Sequence, residues 1–248
     1  MIKTKRKGLV NDLFTGEPLP SKKRTNKRGL NIPSRHRTRI NRWLNLDYVC
    51  LMLCNTMQKN STLKAVRDIE EVYPVPFSKA SRSKLKKAIV HFFEHDYLIE
   101  RFWNSPRKYL KMLKKCEAVM GPDYSLYYDM PDEVNLWNIF RIKLCSFIMQ
   151  MNGIKVIPNL SVCLPKLYDK VFEGIEPGGT YVVSNVRAFS NYFTIHEWYK
   201  FVREVIERLH PQTLIIYGKK VSVAGVNVVY IENNNSKIGK NGKQQSKD

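Results

Sequence analysis

The sequence predicts an α/β fold, in which repeated βα units surround a parallel sheet. Short apolar, β-branched runs recur without polar alternation, as strands covered on both faces do. Amphipathic helical stretches lie between them, the order that produces parallel sheets. The chain is also long enough for a sizeable core: 248 residues, 43% hydrophobic and 26% charged.

The elements follow in order. Residues 88–93 (Ala-Ile-Val-His-Phe-Phe) form a β-prone run, and a helical stretch over 97–115 is interrupted near Pro106. Ala118 to Gly121 read as the next strand. Pro131 opens a strong helix, with Asp132 and Glu133 in the first turn where the helix dipole favours acids. Trp137, Phe140, Leu144, Phe147, Ile148 and Met151 make its apolar stripe, and Asn152-Gly153 ends it. Lys155 to Pro158 begin a strand, and Thr180 to Val183 form another. Thr194 to Glu197 have the capping-box form at the head of a helix, whose apolar face is Trp198, Phe201, Val202, Val205 and Leu209. Thr213 to Tyr217 and Val226 to Ile231 are the last strands. At least six strands fit if a weaker one lies in 66–76. Either a partial or irregular (βα) barrel or an open sheet satisfies this pattern, and the barrel is slightly favoured.

Charge divides the chain into three parts. Lysine and arginine number 42 against 22 acids, a net +20. Residues 1–47 hold thirteen of the basic groups against three acids, so half the net charge sits in the first fifth of the chain. This segment lacks hydrophobic periodicity and contains Pro18, Pro20 and Pro33, which predicts a disordered basic arm rather than a domain. Residues 48–232 are the expected α/β domain, and 233–248 a disordered polar tail. Cations at the arm's density find their counter-charge on a polyanion, and arginine's fork suits phosphate. Lys22, Lys23, Arg24, Lys27, Arg28, Arg35, Arg37, Arg39 and Arg42 are the expected nucleic-acid-binding residues, tracking the backbone without reading sequence.

Several classes are set aside. No apolar run approaches the roughly 18 residues of a membrane span, and no apolar stretch follows the lysine-rich start. The expectation is therefore a soluble, cytoplasmic protein with no membrane partner. The five cysteines include no C-x-x-C pair, which points to reduced thiols and against a zinc cluster. Phosphate-binding glycine loops and a G-x-S-x-G elbow are absent.

One stretch carries a resemblance. The pieces are His91-Phe-Phe-Glu-His-Asp-Tyr-Leu-Ile-Glu-Arg-Phe-Trp103, Gly121-Pro-Asp-Tyr-Ser-Leu-Tyr-Tyr-Asp-Met-Pro131, Trp137-Asn138 with Arg141, Gly153-Ile-Lys-Val-Ile-Pro-Asn159, and Ile215-Ile-Tyr-Gly218. Over about residues 88–231 the chain resembles the family known as domain of unknown function 4417, found in phages, plasmids and other bacterial mobile elements. The resemblance implies an origin and a type of fold, and no activity.

Ligands of parallel α/β folds gather at the carboxyl ends of the strands. Those ends carry Glu94, His95 and Asp96, then Asp123 and Asp129, Asn159, Ser184 and Asn185, and finally Tyr217 and Lys219. Asp123, Asp129, Asn159 and Tyr217 are the candidate catalytic residues. Glu94, Asp96 and Asp123 are the candidate ligands for Mg²⁺, a hard cation that takes oxygen donors and would suit phosphodiester chemistry. His91 and His95, four apart, would share a face if their strand ran through both, but two histidines fall short of a zinc site. Tyr124 and Tyr128 read equally as stacking rings and as core. The first functional expectation is nucleic-acid interaction in replication or in DNA or RNA processing. A metal-dependent phosphodiesterase and a protein-binding accessory factor are the alternatives.

Overall fold

Seven short parallel strands run through the residues that the computed structural model describes, 63–67, 72–186, 188–189 and 192–233. The expected arm, with Lys22 to Arg42, and the tail beyond residue 233 lie outside the described residues. So do Cys50 and Cys54. The strands are β1 Tyr73–Pro76, β2 Ala88–Phe92, β3 Ala118–Pro122, β4 Val156–Ile157, β5 Thr180–Ser184, β6 Thr213–Tyr217 and β7 Asn227–Ile231. The helices are α1 Phe77–Ala80, α2 Asp96–Asn104, α3 Pro106–Leu113, α4 Asp132–Met151, α5 Tyr168–Phe172 and α6 Tyr192–Leu209. Every residue of β2 and β3 is buried, which is why their sequences show no alternation.

The strands lie side by side in sequence order. Hydrogen bonding joins β1 to β4 and β5 to β7. The two sets meet where Leu160 N–H donates to the Val182 carbonyl at 2.9 Å and Val182 N–H donates to the Pro158 carbonyl at 3.0 Å. The sheet is strongly curled. In a flat sheet β2 and β6, four strand spacings apart, would be about 19 Å from each other. Instead the Phe93 ring, just past the end of β2, stacks on Tyr217 of β6 with centroids 4.3 Å apart. Ile89, Ala118, Met120, Ile157, Val182 and Ile215 fill the space behind them. The fold is a partial (βα) barrel whose edge strands, β1 and β7, are its most exposed.

A second core lies outside the curled sheet, where α1 to α4 pack on β1 to β4 around Phe77, Phe92, Phe102, Leu113 and Met149. Pro106 splits the predicted 97–115 helix because it disfavours helical geometry at Ser105, which sits at φ −149°, ψ 57°. The α4 stripe is broader than its spacing suggests. Seven of the eight residues from Ile142 to Met149 are buried, because β3 and β4 cover one side and α5 another, while Met151 is exposed. Gly121 permits this close approach: a Cβ there would stand 2.8 Å from Ser146 Oγ and 3.1 Å from the Asn159 nitrogen. The capping-box expectation at Thr194 is corrected. Helix α6 begins at Tyr192, so Thr194 lies inside it, and its hydroxyl donates back to the Ala188 carbonyl. No helix of the described residues is long and apolar enough to cross a membrane.

Candidate functional site

The strand carboxyl ends open into a cleft of about 590 Å³. Its floor is the Phe93–Tyr217 stack, and its walls come from the segments after β2, β3, β4 and β5, from Thr194 and Trp198 of α6 and from Asn233 beyond β7. Glu94, Asp123, Asp129 and Tyr217 all line it, as do His95 and Ser184. The fold thus brings together most of the residues that strand ends nominated.

Each carboxylate is held differently. Glu94 accepts from the backbone N–H of Ser78 at 2.8 Å and from the Ser78 hydroxyl. Asp123 Oδ1 accepts from Asn159 Nδ2 at 2.8 Å and from Ser161 Oγ at 3.1 Å. Asn159 Nδ2 also donates to the Pro122 carbonyl, while its buried Oδ1 has no hydrogen-bond partner. Asp129 is exposed in the turn before α4. Asp96 faces another way: its carboxylate accepts from the backbone and hydroxyl of Ser125 and caps that loop. Glu94, Asp96 and Asp123 are each engaged by different serine or asparagine donors, and the described residues contain no group of three His, Cys, Asp or Glu side chains able to hold one metal ion.

Burial sets the protonation of the rings below. The Tyr217 phenol is pushed up to about 12, first by burial and then by the negative fields of Glu94 and Asp123. It is a neutral donor and acceptor at physiological pH, with Asn233 Oδ1 at 3.3 Å. Beneath it His91 is buried against Phe93 and Tyr217, and burial lowers it from 6.5 to about 4. The strand stops at Phe92, so His95 does not share a strand face with His91; it is exposed, and its ring stacks on Tyr97. Burial likewise pushes Cys116 up to about 11 and Cys163 up to about 12, so neither is a thiolate nucleophile near neutral pH.

The loop bearing Asp123 is pinned by residues that strand-end reading passes over. Asn135 accepts from Tyr127 N–H at 2.8 Å and donates to the Tyr127 carbonyl at 2.7 Å. One turn later Asn138 donates to the Ser125 carbonyl at 2.7 Å. Arg141, another turn on, bonds Glu100 and Asn138 and lies 3.8 Å from the centre of the Tyr124 ring. Tyr124 is fully buried, which places it in the core, whereas Tyr128 is 37% exposed at the cleft. The signal was present as polar residues at helical spacing on an otherwise apolar helix.

Charge is the cleft's most unusual property. Among the described residues its lining contains Glu94, Asp123 and Asp129 and no lysine or arginine, in a chain with 42 of them.

Comparison with known proteins adds a family and an origin. The sequence model of the family described as "Domain of unknown function (DUF4417)" matches residues 56–234. The Gene 1 protein of Mycobacterium phage L5 is 36% identical over 130 residues, 52% of this chain and 57% of that protein. The Gene 1 protein of Mycobacterium phage D29 is 32% identical over 130 residues, 52% of this chain and 48% of that protein. The matched segment thus spans about half the length of these relatives. No solved structure matches.

Proposed function

The chain belongs to the domain of unknown function 4417 family, and from that premise we propose that it is a phage nucleic-acid-binding protein that holds the phosphate backbone through lysine and arginine side chains. The observation that carries this reading is the charge of +20, half of it within the first 47 residues. A protein that neutralises phosphates releases condensed counterions, so its affinity falls steeply with salt. The acidic lining of the cleft favours backbone binding elsewhere on the chain. Asp123, oriented by Asn159 and Ser161, is then a polar group for chemistry on, or recognition of, a ligand entering the cleft.

Fluorescence anisotropy of labelled DNA and RNA with the full chain, from about 50 to 200 mM salt, tests the reading. We expect tight binding at low salt that weakens as salt rises. Replacing Arg35, Arg37 and Arg39 by glutamine makes the slope of log K against log salt shallower by about 0.7 to 0.9 for each phosphate that is no longer neutralised. Failure of the full chain to bind either nucleic acid at low salt sinks the reading. The Asp123→Asn variant separates chemistry from binding: retained affinity with lost turnover of a bound strand marks Asp123 as catalytic, and unchanged turnover removes it from that role.

A further inference from the structure

We propose that the folded body carries its own binding face for single-stranded nucleic acid, on the flank formed by the β1–β2 connection, α2 and α3. This inference rests on the nucleic-acid reading above and assigns it a second set of residues, distinct from the arm.

Between residues 79 and 115 the chain places eleven basic side chains against three acids. The connection before β2 supplies Lys79, Arg82, Lys84, Lys86 and Lys87. Helix α2 supplies Arg101. Helix α3 and its exit supply Arg107, Lys108, Lys111, Lys114 and Lys115. All eleven residues are exposed. The two clusters are neighbours in space: Phe77 of α1 meets Tyr109 of α3 with ring centroids 4.9 Å apart, and the Arg101 guanidinium lies over the Phe77 ring. The backbone N–H of Glu117, leaving α3, donates to the Ala88 carbonyl at the start of β2.

Ordinary surface cations on a folded domain have acids interspersed among them. Here the acids are committed elsewhere. Glu94 is bound to Ser78, Asp96 to Ser125 and Glu100 to Arg141, and Glu117, just past the segment, pairs with Lys155. Among the described residues none of the eleven cations forms an ion pair with an acid. A contiguous face of unpaired cations fits a polyanion.

Exposed rings choose the form of that polyanion. Tyr97, in the first turn of α2, is 69% exposed, the largest value among the exposed large hydrophobic side chains of the described residues. Tyr73, beside the first residue of β2, is 42% exposed, and its hydroxyl donates to the Lys84 carbonyl within the basic connection. A cationic track flanked by exposed rings, Tyr97 with His95 stacked on one face, is an arrangement on which unpaired bases stack, while a duplex hides its base faces.

The test uses the full chain with Lys84, Lys86, Lys87, Lys108, Lys111 and Lys115 replaced by glutamine, all at exposed positions. Anisotropy is read with a labelled oligothymidylate of about 16 nucleotides, a common upper site size, and with a duplex of the same length. The expected result is a salt slope shallower by about 0.7 for each phosphate that the face no longer neutralises, with a circular dichroism spectrum and melting temperature like those of the parent chain. Tyr97→Ala and Tyr73→Ala should each weaken single-strand binding about tenfold and leave duplex binding unchanged. A folded six-site variant with the parent's affinity and slope overturns the face while the arm-based reading stands. Equal binding of duplex and single strand, insensitive to either tyrosine, overturns the single-strand assignment. Absence of any binding by the parent chain overturns both.

Discussion

The cleft and the basic flank handle charge in opposite ways. At the strand carboxyl ends two of the three cleft acids are tied to neighbours: Glu94 to Ser78, and Asp123 to Asn159 and Ser161. On the flank the lysines and arginines point to solvent, in no ion pair with an acid among the described residues. Bonds already made inside the molecule fix geometry, so polar groups around the cleft act mainly on the stability and shape of the site. Charges left unpaired are available to a partner, so substitutions on the flank should change binding and leave folding nearly untouched.

The sharpest way to break this contrast is Gly218→Ala, at the end of β6. Gly218 sits at φ +133°, and a Cβ there would lie 2.1 Å from Asn185 Oδ1. Asn185 is buried and joins the β5 and β6 loops by accepting from Lys219 N–H and donating to the Lys219 carbonyl. Strain together with the loss of that pair should cost about 3 kcal/mol or more in urea unfolding. A loss below about 1 kcal/mol would show that the loops at the cleft tolerate movement.

Next in size is the pH dependence from His91. Its folded pKa, about 4, lies below the ordinary 6.5. Above pH 6.5 neither state binds the proton, and stability is unaffected. Between 6.5 and 4 the unfolded chain binds a proton that the folded chain refuses, so stability is lost as pH falls, by on the order of 3 kcal/mol in all. His91→Met, lacking that titration, should show a flatter curve over the same window. Parallel curves would mean that His91 takes up its proton in the folded state.

Smaller again is Asn159→Ala, which removes the donor shared by the Pro122 carbonyl, Asp123 and Ser161. It should cost about 2 kcal/mol. Single lysine-to-glutamine changes on the flank should each stay within about 0.5 kcal/mol of the parent, measured by the same unfolding curves. If a flank substitution destabilises as much as Asn159→Ala, its charge is engaged inside the molecule after all.

How far each feature was legible depended on how local its cause is. Strands β2, β3, β5 and β6 were readable because a strand covered on both faces must be apolar at every position. The break at Pro106 and the end of α4 at Asn152-Gly153 were readable for the same reason, since proline and glycine act on their own backbone. The start of α6 was misread because the capping-box spacing at Thr194 also occurs inside a helix. The bond that holds Asp96 was not legible, because distance along the chain says nothing about where a carboxylate points: Asp96 turns to Ser125, 29 residues away. The part that Asn135 and Asn138 play in holding the Asp123 loop was not legible because their partners lie in the preceding loop.

By itself, then, the sequence determined the α/β class, the order of the elements, the excess of positive charge and the strand ends where polar groups collect. These depend on composition and on interactions within one or two turns of chain. The tertiary structure alone decided the curl that stacks Phe93 on Tyr217, the gathering of Glu94, Asp123 and Asp129 at one cleft and the joining of two separate lysine runs into one face. Each of these arises from residues far apart in sequence, whose meeting is set by strand pairing and by packing of the core.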